Sequence, residues 1–225
     1  MRFRTPELIP LLFIILAVGM TTSFGIWQVV RLDWKESLIH QIDMAQSQPT
    51  LGTLPETLDY ITYHNVVLTG QFLHNKTLRR VGGKRGMPSG FFLMTPFALE
   101  DDGRVILVDR GFAPADKESN TEGIQTVSGI LRPYRDKRFF SPENKPEDNL
   151  WFYENVSAMS NATSENLLPL IVRATGERIA GVYPIPHEAK ITLRNDHLGY
   201  AITWFSLAII ALIMFAFYYR KKEEA

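Results

Sequence analysis

The residues best suited to chemistry lie at the start of the last apolar run, in the stretch NDHLGYAITWF (195–205). His197, Tyr200, Ala201 and Trp204 recur there at i, i+3, i+4 and i+7, the spacing of one helix face. An imidazole at a membrane edge is costly unless it is hydrated, hydrogen-bonded or a ligand, and it is a common ligand of haem iron. Taken alone, Tyr200 and Trp204 are more typical of an aromatic belt at the lipid headgroups. The residue types leave both interpretations open.

A second group of polar and aromatic residues follows the first apolar run, in GIWQVVRLDWK. Trp27 and Arg31 are four residues apart, Gln28 lies within one turn of Arg31, and Trp34 follows. A guanidinium at this position can pair with an acidic ligand such as a haem propionate. It can equally anchor the helix at the headgroups, so this stretch predicts either a pocket wall or a membrane anchor.

The two apolar runs that carry these groups are long enough to cross a bilayer. Residues 8–30 and 198–219 contain no charged residue, over 23 and 22 positions. As helices they span roughly 33 Å, against a hydrocarbon core of about 30 Å. The first run is too long for a typical signal peptide and no A-x-A-like site follows it, which favours a retained anchor. Asn195 or Asp196 is expected to N-cap the second helix.

The charges that flank the two runs predict the topology. Five basic residues lie in the tails and four lie on the inner flanks, which places both tails in the cytoplasm and the middle of the chain in the periplasm. An Arg- and Ser-rich leader is not seen before the first run, so we expect the inner membrane of a bacterium. The predicted segments are an N-tail (1–7), a transmembrane helix (8–30), a β-rich domain (31–196), a transmembrane helix (197–219) and a C-tail (220–225).

The middle of the chain reads as a mainly antiparallel β domain, either a sandwich or a small barrel, with a minor helix. Residues 31–46 are expected to continue the first helix, and SAMSNATSE (157–165) to form a short one. Turn signals separate the predicted strands, which are NVVLTGQF, TLRRV, GFFLMTPFAL, RVILVDRG, IQTVSGIL, LWFYEN, LLPLIVRA and KITL.

Composition and motifs exclude several classes of function. Basic and acidic residues are equal at 24 each, which is not the footprint of a nucleic-acid-binding protein. The chain has no cysteine, hence no disulfide and no thiolate chemistry. VGGKRGMPSG is expected to be a hairpin turn, because its spacing is not that of a phosphate loop. Asp109 beside Arg110 predicts an ion pair or a turn cap, and structural roles are expected for the other histidines: His40, His64, His74 and His187.

Four blocks of the sequence resemble those of the surfeit-locus cytochrome c oxidase assembly factors. They are GIWQVVRLDWKESLI, GFFLMTPFALEDDGRVILVDRGFAP, RFFSPENKPEDNLWFYENVSAM and NDHLGYAITWFSLA, in family order over roughly residues 19–210. Two of the blocks depart from the family pattern, at three positions. Asp109-Arg-Gly-Phe112 stands where the family usually has Asn-Arg-Gly-Trp, and Glu154 stands where it usually has Asp.

The resemblance implies a membrane protein that binds haem a and assists its insertion into subunit I of a haem-copper oxidase, without being an enzyme. His197 matches the histidine by which bacterial relatives bind the haem iron. Tyr200 and Trp204 are then expected to pack on the macrocycle, and Arg31 to lie nearest a propionate. Trp27 and Gln28 complete the wall contributed by the first helix.

The resemblance also predicts where the protein acts and with what. Subunit I and the lipid bilayer are the expected partners, and haem a synthase is a further candidate. Eukaryotic relatives are expected in the mitochondrial inner membrane. Two alternatives are a haem-free scaffold that stabilises an oxidase intermediate and a membrane-anchored periplasmic enzyme or sensor.

Overall fold

The computed structural model describes residues 6–83, 86–115, 117 and 120–220. The predicted tails, 1–7 and 220–225, therefore lie largely outside the described residues. The chain divides into two compact units. One comprises Met1–Gln41 with Thr192–Ala225, and the other comprises Ile42–Ile191. Three helices and seven strands follow in chain order: α1 (Leu8–Gln46), β1 (Asn65–Phe72), β2 (Leu78–Gly82), β3 (Gly90–Leu99), β4 (Val105–Pro114), β5 (Ile124–Pro133), β6 (Leu150–Trp151), α2 (Val156–Thr163), β7 (Leu167–Ala174) and α3 (His197–Tyr219).

The first unit contains the two apolar helices predicted for the ends of the chain. Both α1 and α3 are long and apolar enough to cross a membrane, and few of the residues in their apolar windows are buried within the protein. A soluble core helix would bury most of its surface, so the exposed apolar sides need another apolar environment. The structure also confirms that α1 continues to Gln46 without a break.

The second unit is built on a closed five-stranded barrel. Around the barrel the strand order is β1-β5-β7-β4-β3, and β3 pairs with β1 to close it. All of these pairs are antiparallel except β4 with β7. Closure requires a glycine where β1 meets β3, since a Cβ at Gly70 would lie 2.2 Å from the carbonyl oxygen of Ala98. Of the two predicted architectures, the small barrel is therefore the observed one.

Two apolar clusters hold the barrel together, one on each face of β4. Ile106 and Val108 pack inside the barrel with residues such as Phe97. Leu107 points the other way, into a cluster with Trp151 and Met159 where β2, β6 and α2 cover the outside. Each fully buried side chain of this size contributes about 1.5–3 kcal/mol. Burial on both faces explains why the first four residues of β4, Val105–Val108, are all apolar.

Most predictions of strands and helices are confirmed, and two strand predictions are wrong. NVVLTGQF, GFFLMTPFAL and LLPLIVRA are strands with the predicted bounds. β2 and β3 pair antiparallel, as the predicted hairpin requires, and the helix near 157–165 is also present. Residues 84 and 85 of the predicted turn lie outside the described residues. Only the first two residues of LWFYEN form a strand, because the Asn144 side chain accepts hydrogen bonds from Phe152 N and Tyr153 N. Residues 190–193 (KITL), all described, form no strand.

Candidate functional site

His197 is the first residue of α3 and is half-buried. Asp196 occupies the N-cap position, as one of the two predicted residues, but its carboxylate makes no capping hydrogen bond and pairs with Arg194 instead. The prediction of a side-chain cap is therefore wrong at Asp196. The start of α3 keeps its orientation through another contact, which His197 makes with α1.

That contact joins the histidine to a buried amide. His197 Nδ1 lies 2.7 Å from Gln28 Oε1, and Gln28 is only 8% exposed. Because Oε1 can only accept, the Nδ1–H of His197 donates to it. The other ring nitrogen, Nε2, then carries the lone pair and can accept a proton or bind a metal. Histidines that bind metals are usually held in this way, with the second ring N–H donated to an oxygen.

Below this pair the two helices approach closely. A Cβ at Gly25 would lie 2.7 Å from the ring of Phe205, so only glycine fits there. One residue earlier, the ring centroids of Phe24 and Trp204 are 5.0 Å apart. Ala201 is also buried. Small residues at such contacts allow helices to pack closely in membranes.

The other predicted site residues are divided between this interface and the exposed surface. Trp204 packs at the interface, whereas Tyr200 is 56% exposed and Trp27 is 53% exposed. The guanidinium of Arg31 lies 4.4 Å from the ring centre of Trp34. The structure thus brings Gln28, His197 and Trp204 to one helix interface and leaves Tyr200 and Trp27 with broad exposed faces.

Three further residues of the interface were not predicted: Phe24, Gly25 and Phe205. Phe24 and Gly25 precede Gln28 by four and three residues, which is the spacing of one helix face. This spacing is the signal in the sequence that points to these two residues, but it does not single them out because the whole run is apolar.

The second unit contains a buried ionic cluster, formed by Arg80, Asp109, Arg132, Glu154 and His187. Arg132 binds Glu154 through two hydrogen bonds of 2.6 and 2.9 Å and reaches Asp109 Oδ2 at 3.1 Å. Arg80 lies 3.2 Å from Glu154 and 3.6 Å from Asp109. His187 Nε2 is 2.9 Å from Asp109 Oδ1. The cluster ties together residues from β2, β4 and β5 and from the segments after β6 and β7.

The cluster keeps Asp109 ionised. Burial by itself raises the pKa of Asp109, but the hydrogen bond and charge of His187 and the charges of Arg132 and Arg80 outweigh it, so this pKa lies well below its usual range. Burial lowers the pKa of Arg132, yet bonding to Glu154 and Asp109 raises it above its ordinary value. Two carboxylates thus face two guanidiniums. This arrangement suits a structural role, in which the cluster holds distant segments of the domain together.

Comparison with known proteins decides the family. Residues 15–209 match the sequence model described as the SURF1 family. The chain belongs to the SURF1 family. The family resemblance of the four sequence blocks is thereby confirmed.

Similar SURF1 proteins occur in bacteria and eukaryotes. The SURF1-like protein of Monosiga brevicollis is 36% identical over 222 residues, which cover 90% of this chain and 84% of the relative. The SURF1-like protein of Rickettsia felis is 31% identical over 220 residues, with 93% and 96% covered. Surfeit locus protein 1 of Rattus norvegicus is 34% identical over 212 residues, with 83% and 68% covered.

The SURF1 match takes in residues of both units. It includes the Gln28–His197 pair and all five residues of the ionic cluster. The three positions that depart from the resembled blocks, Asp109, Phe112 and Glu154, all lie in the barrel unit and not at the His197 pair. Two of them, Asp109 and Glu154, bind Arg132.

Proposed function

We propose that this protein is a membrane-anchored assembly factor for haem-copper cytochrome c oxidase. In this proposal α1 and α3 span the inner membrane of a bacterium, both tails lie in the cytoplasm, and the barrel lies in the periplasm. Membership of the SURF1 family supports the assembly role, and the exposed apolar sides of both helices support the anchoring. The protein would act as a carrier and partner of subunit I, and no reaction is assigned to it.

The proposed cargo is haem a, held through His197. The observation that carries this is the hydrogen bond from His197 Nδ1 to Gln28 Oε1 at 2.7 Å. It fixes the tautomer whose Nε2 lone pair is available, and it limits rotation of the ring. A single axial histidine suits a carrier, because a cargo held by one protein ligand is more easily passed on to subunit I. Haem a synthase is the proposed source of the cargo.

The other predicted site residues are proposed to contact the haem macrocycle and its propionates. Trp204 and the exposed rings of Tyr200 and Trp27 offer apolar faces of the kind that stack on planar ligands. Arg31 uses one face of its guanidinium to stack on Trp34. The edge of a stacked guanidinium can still donate to a carboxylate, as a propionate would require.

A haem-free scaffold is the second candidate. The same hydrogen bond favours it, because polar side chains also join helices to each other within membranes. In that case His197 is a contact residue only, and the protein stabilises an oxidase intermediate by binding its surface. Haem content distinguishes the two candidates.

The test is the absorption spectrum of the protein purified in mild detergent after co-production with haem a synthesis. We expect a Soret band in the wild type and a much weaker band in His197→Ala. His40→Ala is the matched control, since His40 is an exposed histidine on α1. A haem-free wild type, with haem a available in the cells, would contradict the carrier proposal and favour the scaffold.

A further inference from the structure

The barrel unit displays two phenylalanines on the tip of a tight turn. The backbone N–H of Ser141 donates to the carbonyl of Arg138 at 2.9 Å, and the Arg138 N–H donates to Ser141 Oγ. The two central residues of this turn are Phe139 and Phe140, which are 92% and 91% exposed. Their rings meet edge to face, 4.8 Å apart. We call residues 134–145, which carry this turn, the aromatic loop.

The base of the aromatic loop is fixed by side chains. Lys137 pairs with Glu143, and Glu143 also accepts from the hydroxyl of Tyr153 at 3.2 Å. Asn144 binds the backbone of Phe152 and Tyr153. Since both sides of the turn are anchored, the two rings are held outward by a defined scaffold.

Two phenylalanines are unusual at the centre of a turn. Glycine, proline, asparagine, aspartate and serine dominate such positions because their backbone or side chains suit the turn. Phe139 and Phe140 gain nothing of this kind, and each exposes a large apolar surface to water. Residues that break a local preference without a compensating contact mark functional positions. The rings therefore need a partner outside the barrel unit.

The size of the tip indicates what the partner is. Two phenylalanine side chains can bury about 150–250 Å² each. A stable protein interface needs about 800 Å² from each partner, so the tip alone is too small for one. Insertion into a bilayer has no such threshold when the protein is already anchored beside the lipid, because the local lipid concentration is then high.

Charge points to the same partner. The aromatic loop contains four basic and two acidic residues, although the whole chain is neutral. Basic residues beside an apolar tip are attracted to anionic headgroups.

We propose that the aromatic loop is a membrane-contact site, in which Phe139 and Phe140 insert among anionic phospholipids and the neighbouring basic side chains bind the headgroups. This inference rests on the proposed membrane anchoring but not on haem binding. It assigns the barrel unit its own contact with the bilayer, in addition to the two helices.

The absence of cysteine allows a direct test with single labelled cysteines in the full chain. The fluorophore NBD is attached at Phe140→Cys at the tip, at Ile210→Cys in α3, and at Tyr60→Cys as the matched control, since Tyr60 is a similarly exposed aromatic of the barrel unit. Each protein is placed in nanodiscs of phosphatidylcholine with or without phosphatidylglycerol, containing doxyl-labelled lipid as quencher. Phe139→Ser and Arg138→Gln are then added to the tip-labelled protein.

We expect doxyl lipid to quench the tip label at least about threefold more than the Tyr60 label, because insertion brings the probe about 5–10 Å into the boundary of headgroups and acyl chains. Phe139→Ser should reduce this quenching, and Arg138→Gln should reduce it mainly in discs with phosphatidylglycerol. Equal quenching at the tip and at Tyr60, with Ile210 strongly quenched, would overturn the membrane-contact site alone. A tip label that is shielded from water but is not quenched by doxyl lipid would indicate contact with another protein copy. That result would also overturn the membrane-contact site. An unquenched Ile210 label would overturn the anchoring itself.

Discussion

At the scale of single residues, the bond between Gln28 and His197 is the feature with the most direct chemical consequence. Each residue is recognisable in sequence as a polar group at the end of an apolar run. Their pairing is not, because the two residues are 169 positions apart and no local spacing relates them. The pairing gives this histidine a defined tautomer and an available Nε2.

Substitution of Gln28 should separate the carrier role from a simple helix contact. Gln28→Leu removes the acceptor, and we expect haem a retention to fall by about 10–100-fold, as for other residues that orient a metal ligand. Gln28→Glu keeps an acceptor for Nδ1–H, so it should retain haem. A carboxylate also makes the imidazole a stronger donor, so the reduction potential of the bound iron should fall.

The measurements are the Soret absorbance per protein and a redox titration of the bound haem. His40→Ala again serves as control. Wild-type haem content in Gln28→Leu would show that the amide does not orient the ligand. An unchanged potential in Gln28→Glu would argue that the two side chains do not interact when haem is bound.

At the scale of elements, the contact of α1 with α3 depends on one glycine. We expect Gly25→Leu to lower the resistance of the protein to SDS-induced unfolding, since overpacking of this kind costs about 1–3 kcal/mol. Gly19→Leu is the matched control on the same helix, because nothing lies within 4 Å of a Cβ there. Adding Phe205→Ala to Gly25→Leu should restore part of the loss. Equal behaviour of Gly25→Leu and Gly19→Leu would disprove the close approach.

The strands show how far periodicity alone can predict elements. β1, β3 and β7 are rich in β-branched and aromatic residues and are bounded by turn residues, and their bounds follow from the sequence. The stretch LWFYEN has the same composition, yet its strand ends at Trp151. The next two backbone N–H groups donate hydrogen bonds to the Asn144 side chain instead of to a neighbouring strand. A side chain that replaces a ladder partner leaves no periodic signature, so periodicity alone extends this strand too far.

At the scale of the whole molecule, the closed barrel and its ionic cluster depend on contacts between distant segments. The sequence favoured a β-rich middle but left sandwich and barrel open, because closure rests on the pairing of β1 with β3. In the same way, the sequence predicts an ion pair or a turn cap for Asp109 beside Arg110, and the structure brings Arg80, Arg132 and His187 to the Asp109 carboxylate. Convergence of this kind is set by strand register, which single strands do not encode.

The low pKa of Asp109 predicts how the barrel responds to acid. The folded protein keeps this carboxylate ionised below the unfolded value of about 3.9. Between the two pKa values the unfolded chain binds a proton that the folded chain does not, so stability falls as the pH falls. The contribution is complete above about pH 5 and declines below it, by up to about 1.4 kcal/mol per pH unit. Melting temperatures of the full chain in nanodiscs, measured from pH 7 to pH 3, test this.

Asp109→Asn should change both the melting temperature at pH 7 and the way the melting temperature falls as the pH is lowered. At pH 7 it leaves the buried charges of Arg132 and Arg80 opposed by Glu154 alone, which should cost about 3–5 kcal/mol of stability. Below about pH 5 the variant should lose less stability than the wild type, because asparagine binds no proton. Asp101→Asn, in an exposed turn, should leave both features unchanged. A wild-type acid slope in Asp109→Asn would assign the pH dependence to another group and leave Asp109 with a purely steric role.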